Sequence, residues 1–238
     1  MSFKFSLILP CWNEKEALPY LFEQYGPLSE QESVEVIFVD NGSTDGTAEE
    51  YQRLIGLHPQ FSQAFRYLRV DENKGVGGGL KSGAKVATGK NLIFCHADEQ
   101  YGRAQVTAAI EKYKMLETLS DGKRYAVKGV RNSRHPREYL ISRGFDAVAM
   151  AMTRMSFYDI NAQPKIFPRP DSVSFWDSAP DDFCIDLFVI ITLRRLGFEW
   201  QTVKVPVLDR ESGESSWSRS WSSVARLARR YVGYLSQV

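Results

Sequence analysis

The residues best placed to do chemistry follow an apolar run, Asn91 to Cys95, which ends in His96-Ala97-Asp98-Glu99-Gln100. Carboxylates at the C-terminal end of a buried strand sit where open α/β sheets bind ligands. Asp98 there can hold a divalent cation, and the cation can hold a diphosphate. A second strand end, Val39-Asp40-Asn41-Gly42-Ser43-Thr44-Asp45-Gly46-Thr47, leads through a Gly/Ser/Thr turn into a helix. Asp40 can accept hydrogen bonds from a base or ribose, and Gly42 lets a ligand approach the backbone. Ser43 or Thr44 serves equally well as an N-cap. A third segment, Asn73-Lys74-Gly75-Val76-Gly77-Gly78-Gly79, is a glycine-rich turn before a helix of small residues. Together the three segments point to an enzyme that uses a nucleotide-sugar.

These segments need strands and helices in alternation to bring them to one edge. Apolar runs at Lys4–Leu9, Val34–Val39, Phe65–Val70 and Asn91–Cys95 read as strands. Helices are expected at 14–24, 45–55, 78–87 and 104–119, followed by a strand at 125–128. This alternation predicts an α/β fold, a mainly parallel sheet with helices on both faces. Continuous apolar strands fit a sheet covered on both sides. The second half reads as a helix over 137–155 and a Pro- and Ser-rich loop with a short strand over 161–179. A helix over 182–196, a strand over 200–207 and a C-terminal helix complete it.

The 238-residue chain is 43% hydrophobic and 25% charged, with a net charge of +1. That is ordinary for a globular protein and says nothing about partners. No apolar run approaches the ~18 residues of a membrane-spanning helix. The N-terminal MSFKFSLILPCW is a first strand rather than a signal peptide, because Pro10 breaks it and no cleavage site follows. Cys11, Cys95 and Cys184 fit neither a disulfide framework nor a zinc site, which suggests a reducing compartment. Gly75 to Leu80 lacks the last glycine of a dinucleotide fingerprint, and there is no P-loop.

The ordered motifs PCWNEKEAL, VDNGSTDGT, NKGVGGGLKSGAKVATG and HADEQY resemble those of family 2 glycosyltransferases of the GT-A fold. Within the family the chain is most similar to the polyprenyl-phosphate sugar transferases, over about residues 4–215. The resemblance implies that Pro10, Trp12 and Glu14 line the base and ribose pocket, and that Asp40 binds the nucleoside. Gly42 and Lys74 join the donor site. The D-x-D element falls on His96-Ala97-Asp98, making Asp98 a metal ligand and Gln100 a second. Arg131 matches the family's G-x-R, facing diphosphate and acceptor. In DINAQPKIF, Lys165 holds an anionic acceptor or phosphate. In VPVLDRESGESS, Arg210 and Ser215 lie near the diphosphate.

The chain departs from that pattern at several points. His96 replaces the first Asp of the D-x-D element; imidazole suits a transition metal better than Mg²⁺. Gln163-Pro164 stands where the family has Gly plus an aromatic, and Ser216 replaces a terminal Lys.

Sugar–phosphate cleavage leaves negative charge on a nucleoside diphosphate, which a Mg²⁺ or Mn²⁺ ion with Arg131 and Arg210 would stabilise. A phosphate acceptor needs no base; a sugar hydroxyl does. Asp181 and Asp182 are base candidates by resemblance and equally good N-caps, and Asp186 lies one turn on.

In the C-terminal helix, Trp217, Trp221, Val224, Ala228, Tyr231, Val232 and Leu235 share one face. Arg219, Arg226, Arg229 and Arg230 lie opposite. Such a helix suits an anionic membrane surface or packs on the domain or a sister subunit.

The expected protein has a GT-A domain over 1–215 and a basic amphipathic helix over 216–238. Its expected partners are a UDP- or GDP-linked sugar, a lipid-phosphate acceptor and the cytoplasmic membrane face, with self-association left open and no nucleic acid. Two alternatives are a transferase to a sugar hydroxyl in surface-glycan synthesis and a catalytically weak nucleotide-sugar binder, the latter prompted by His96.

Overall fold

The computed structural model describes residues 3–97, 100–119, 121–132, 135–206 and 221–237. Seven strands form one sheet: β1 (Phe5–Cys11), β2 (Val34–Asn41), β3 (Phe65–Val70), β4 (Asn91–Phe94), β5 (Arg124–Arg131), β6 (Lys165–Pro168) and β7 (Phe198–Val205). Their order is β3-β2-β1-β4-β6-β5-β7. β6 runs antiparallel to both β4 and β5, and every other pairing is parallel. The strand order reverses at β1, between β2 and β4, which opens a crevice at their C-terminal ends.

The strands read as unbroken apolar runs because alternate residues enter different cores. Phe5, Leu7 and Leu9 of β1 meet α1 (Leu18–Gln31), α2 (Thr47–Leu57) and α4 (Arg103–Glu117). Ile8 of β1, with Phe94 of β4 and Phe167 of β6, meets α3 (Gly75–Val86) and α6 (Ile185–Arg195) on the other side. A third cluster joins α6 to α5 (Pro136–Thr153) and α7 (Trp221–Leu235) through Phe145, Leu187, Ile191, Tyr231 and Leu235.

One carboxylate ties the lower sheet edge together. Glu35 is fully buried, and it accepts from Ser6 Oγ (2.6 Å), Thr88 Oγ1 (2.9 Å) and the Gly89 N–H (3.0 Å). Burial raises its pKa, but these donors more than offset that and hold it below the usual carboxylate range.

Several expected boundaries shift, and those of the first helix shift most. α1 begins at Leu18, not Glu14, because the amides before it are already engaged. The N–H groups of Asn13, Glu14 and Lys15 donate to Ser43 Oγ (2.9 Å), Thr47 Oγ1 (3.1 Å) and Asp45 Oδ2 (3.1 Å). α1 also continues through Pro27 to Gln31, since Tyr25 and Leu28 are buried in the core. The apolar face of α7 packs inside the fold: the Tyr231 ring lies tilted against Phe145 with centroids 4.7 Å apart, and Leu235 is buried. Val232, expected on that face, is 44% exposed. The expected domain boundary at 215/216, with Trp217 and Arg219, lies outside the described residues.

Candidate active site

A cleft of about 310 Å³ opens at the C-terminal ends of β1, β2 and β4. The β1 side supplies Pro10, Trp12 and Glu14; β2 and the α3 turn supply Asn41, Asn73 and Gly75. The β4 end supplies His96, Gln100 and Tyr101. Arg131 ends β5, and Phe145 (α5), Phe183 and Leu227 (α7) form an apolar wall. Of the residues expected to bind donor or metal, Pro10, Trp12, Glu14, Gln100 and Arg131 therefore share one cavity. Asp98, Arg210 and Ser215 lie outside the described residues.

Trp12 stands 55% exposed at the rim, which leaves an indole face open to a planar ligand. Its loop is held by the 43–47 turn, where the Ser43, Asp45 and Thr47 side chains accept its N–H groups. Asn13 has a positive φ of 58°, and its Oδ1 accepts the Thr44 N–H at 2.9 Å. Ser43 does not cap α2, whose N-cap is Gly46; its hydroxyl accepts the Asn13 N–H.

Asp40 is buried beneath this turn. One oxygen accepts the Ser43 N–H (2.7 Å); the other accepts Tyr67 Oη and Arg69 Nη1 (2.6 Å). Burial raises its pKa, but the Ser43 and Tyr67 hydrogen bonds and the Arg69 charge bring it below the usual range. Asp40 is absent from the cleft wall. Gly42 also faces protein: at φ +78°, a side chain there would meet the Asn73 nitrogen at 3.1 Å. Lys74 is exposed at the N-terminus of α3 and likewise does not line the cleft.

Arg131 is the best-anchored charge in the cleft. Its guanidinium grips Asp159 through Nη2 (2.5 Å) and Nε (3.1 Å), and its own N–H reaches Asp159 Oδ2 (2.9 Å). Burial would lower the Arg131 pKa, but Asp159 more than compensates and keeps it charged. Asp159 is positioned in turn by buried Asp146 of α5, which accepts its N–H at 2.8 Å and the Ile160 N–H at 3.3 Å. Sequence placed Asp159 at the head of DINAQPKIF without giving it a role, and did not mark Asp146, because a lone acid inside a helix carries no spacing signal.

Lys165 lies beneath the cleft, not in it. It is fully buried, paired to Asp186 Oδ1 at 2.6 Å and to the Ala162 carbonyl at 2.9 Å. Burial depresses the ammonium pKa and Asp186 opposes the shift. Gln163 links this pair to the cleft, with its Nε2 3.2 Å from Asp186 Oδ1 and 3.4 Å from His96 Nε2. Asp186 thus faces inward. Asp182 accepts the Cys184 N–H at 2.9 Å in the turn before α6, whose N-cap is Cys184, and pairs with Arg230 of α7 at 3.3 Å. Asp181 pairs with Lys81 at 2.5 Å. Neither lines the cleft.

The glycine-rich turn has a packing role. A side chain at Gly75 would stand 2.6 Å from the Asp181 carbonyl oxygen, and one at Gly77 2.6 Å from that of Asp182. The Gly78 N–H donates to the Asp181 carbonyl at 3.0 Å.

Among the described residues no cluster of three His, Cys, Asp or Glu side chains could hold a metal alone. His96 and Gln100 do line the cleft together, and an imidazole nitrogen with an amide oxygen is a donor set that fits a first-row ion such as Mn²⁺.

The sequence model of glycosyl transferase family 2 matches residues 6–167, more than half of the chain. The chain belongs to glycosyl transferase family 2. This family 2 chain is 31% identical over 172 residues to dolichol-phosphate mannosyltransferase of Pyrococcus furiosus, covering 72% of the chain and 44% of that relative. It is 35% identical over 104 residues to dolichyl-phosphate β-glucosyltransferase of Drosophila melanogaster, covering 41% of the chain and 31% of that relative. The chain thus spans less than half the length of the curated relatives it matches. Its fold is the GT-A fold. Glucosyl-3-phosphoglycerate synthase from Mycobacterium tuberculosis, solved with Mn²⁺, UDP-glucose and phosphoglyceric acid, superposes with a TM-score of 0.68 at 18% identity, covering 98% of this chain and 78% of that one.

Proposed function

We propose that this chain is an inverting glycosyltransferase that moves a sugar from a nucleoside-diphosphate sugar to a polyprenyl phosphate at the cytoplasmic membrane face. One observation carries the reading. A cleft with an exposed Trp12 at its rim and a charged, anchored Arg131 lies at the strand-order reversal, in a family 2 chain whose relatives are named for dolichyl phosphate.

Trp12 offers a stacking face for the base, and Glu14 a carboxylate for the ribose. Arg131 faces the phosphate charges, and Asp159 keeps its guanidinium from swinging away. Preorganised charge of this kind stabilises a leaving diphosphate without reorganising during the reaction. A divalent cation, when bound, would neutralise part of the same charge as a Lewis acid. Asp98, His96 and Gln100 are the residues that would hold it, and the donor set favours Mn²⁺ over Mg²⁺.

An acceptor phosphate is already an anion, so no general base is required. The engagement of Asp182 with the Cys184 N–H and Arg230 supports this choice over a hydroxyl acceptor. No helix among the described residues is long and apolar enough to cross a membrane.

The test is transfer of labelled sugar from UDP- and GDP-sugars, with Mn²⁺ or Mg²⁺, to a dispersed short-chain polyprenyl phosphate or to a sugar alcohol acceptor. Transfer to the lipid phosphate that survives Asp182→Asn is the expected result. Transfer only to hydroxyl acceptors, abolished by Asp182→Asn, would replace this reading.

A further inference from the structure

The turn before β6 carries an amide with one end fixed from behind. β6 runs antiparallel to β4 and β5, so the residues that precede it reach the same sheet edge as the C-terminal ends of β1 and β4. Asn161, in that turn, is half-buried and lines the cleft. Its backbone is braced: the Ala162 N–H donates to the Asp159 carbonyl at 3.0 Å, and Lys165 Nζ to the Ala162 carbonyl at 2.9 Å. Its side chain is tied to α7, where Tyr231 Oη donates to Asn161 Oδ1 at 2.5 Å. That separation is too short for an N–H donor and falls at the short end for an O–H donor, so the amide oxygen, not its nitrogen, meets the phenol. Tyr231 is fully buried, and burial pushes its phenol pKa up, so the hydroxyl keeps the proton it donates. With Oδ1 engaged, the amide keeps two N–H groups to offer, and none of the described residues accepts from them. Packing against Phe145 needs only a ring at position 231; the hydroxyl serves Asn161.

We propose that Asn161 recognises the transferred sugar by donating an amide N–H to one of its hydroxyl oxygens, and that Tyr231 is the positioning residue that sets the amide's orientation. The proposal rests on the nucleotide-sugar reading above and assigns the sugar end of that site. Strand order selects this ligand. From β1 through β4 to β6 and β5, the cleft edge carries Trp12 and Glu14, then His96 and Gln100, then Asn161, then Arg131. A nucleotide-sugar laid across that edge, with its base on Trp12 and its diphosphate by His96 and Gln100, brings its sugar to the turn before β6. The chemistry agrees. An uncharged amide suits a hydroxyl, whereas a phosphate is drawn to the Arg131 charge. Phe145 and Phe183 of the same cleft offer an apolar wall to the C–H face of a hexose.

The experiment is calorimetric titration of the full chain, in the presence of Mn²⁺, with UDP, UDP-glucose, GDP and GDP-mannose. The quantity read is the affinity for each nucleotide-sugar relative to its own nucleoside diphosphate. The variants are Asn161→Ala, Tyr231→Phe and the two combined. Asn161→Ala should bind the sugar-bearing nucleotide about three- to tenfold more weakly, the scale of one neutral hydrogen bond, and the sugar-free nucleotide as the wild type does. Tyr231→Phe keeps the ring against Phe145 but frees the amide to turn, so it should move the ratio the same way by less. The double variant should match Asn161→Ala, because Tyr231 acts through Asn161. Melting temperatures establish that each variant is folded. Asn161→Asp keeps the acceptor for Tyr231 and loses the N–H donors, and it carries the same ratio test if Asn161→Ala does not fold. Equal losses for sugar-bearing and sugar-free nucleotide overturn the proposal, as does a double variant with a lower ratio than Asn161→Ala. A wild type that binds none of the four probes overturns the donor reading and the role of Asn161 with it. Transfer to dispersed polyprenyl phosphate is assayed in parallel. A sugar-specific loss in Asn161→Ala without any wild-type transfer would overturn the lipid-phosphate acceptor and leave Asn161 standing; wild-type transfer with an unchanged ratio in Asn161→Ala would do the reverse.

Discussion

The carbonyl oxygen of Asp182 lies 2.6 Å from the point where a side chain at Gly77 would begin. The glycine-rich run therefore lets the first turn of α3 press against the 180–182 backbone. Gly77→Ala leaves a methyl group no room unless that segment moves. Overpacking of this kind costs roughly 1–3 kcal/mol. The expected result is a melting temperature lowered by several degrees and weaker Asp182–Arg230 pairing. Gly56→Ala is the control, since nothing lies within 4 Å of its would-be side chain. Equal melting temperatures for Gly77→Ala and wild type would refute the packing role.

Arg131 should separate charge from geometry. Lysine keeps the charge but cannot hold Asp159 with two nitrogens at once. Arg131→Lys is expected to lower transfer about 10²-fold, the scale of losing one preorganised donor. Arg131→Met strands the buried Asp159 carboxylate and should cost about 3–5 kcal/mol of stability. Asp146→Ala attacks the same unit from behind, since it removes the acceptor for the Asp159 and Ile160 N–H groups. It should reduce kcat through Arg131 while leaving donor affinity, read by thermal shift, nearly unchanged. A transfer rate at the wild-type level in Arg131→Lys would remove Arg131 from the reaction.

How much of this was legible depended on whether a residue's role follows from its neighbours in sequence. Strands β1, β2 and β4 were, because burial on both faces writes itself as an unbroken apolar run. The cleft's position was, because strand ends with polar turns mark a sheet edge. Depth was not. Asp40 and Lys165 were expected to meet ligand, yet each lies buried on protein partners, Asp40 on Tyr67 and Arg69, Lys165 on Asp186. A charged residue in a motif looks the same in sequence whether it faces the cavity or props its wall. The wall contributed by Phe145 and Leu227 was illegible for another reason: it depends on α5 and α7 packing together across a long stretch of chain.

Glu35 predicts acid sensitivity. Its folded pKa is lowered, so its contribution is fully present above the unfolded carboxylate value near 4.5 and is lost as pH falls through the folded one. Glu35→Gln keeps the shape but presents an N–H₂ where two oxygens now accept. It should cost about 1–3 kcal/mol at neutral pH and flatten the decline below about pH 4.5. Urea unfolding at neutral pH and across the acid range measures both. An unchanged acid limb in the variant would assign that sensitivity to other carboxylates.

Lys128 predicts the opposite sign. Its ammonium is buried and donates to the carbonyls of Tyr158 (2.8 Å), Asp159 (2.7 Å) and Gly129 (3.2 Å). Burial, reinforced by the nearby Lys165 charge, pushes its pKa down to about 7. The unfolded chain then binds more protons than the folded one between about pH 7 and the ordinary lysine value near 10.4. Stability from this group is therefore lowest below that window and rises with pH through it, by an amount of order a few kcal/mol. Lys128→Met removes the titration but also leaves three carbonyls without a donor, so its stability at any single pH is ambiguous. The slope is not: the variant should gain less than the wild type between about pH 7 and pH 9.5. Equal slopes in urea unfolding would mean that Lys128 keeps its proton, with the three carbonyls sufficient to hold the charge in place of water.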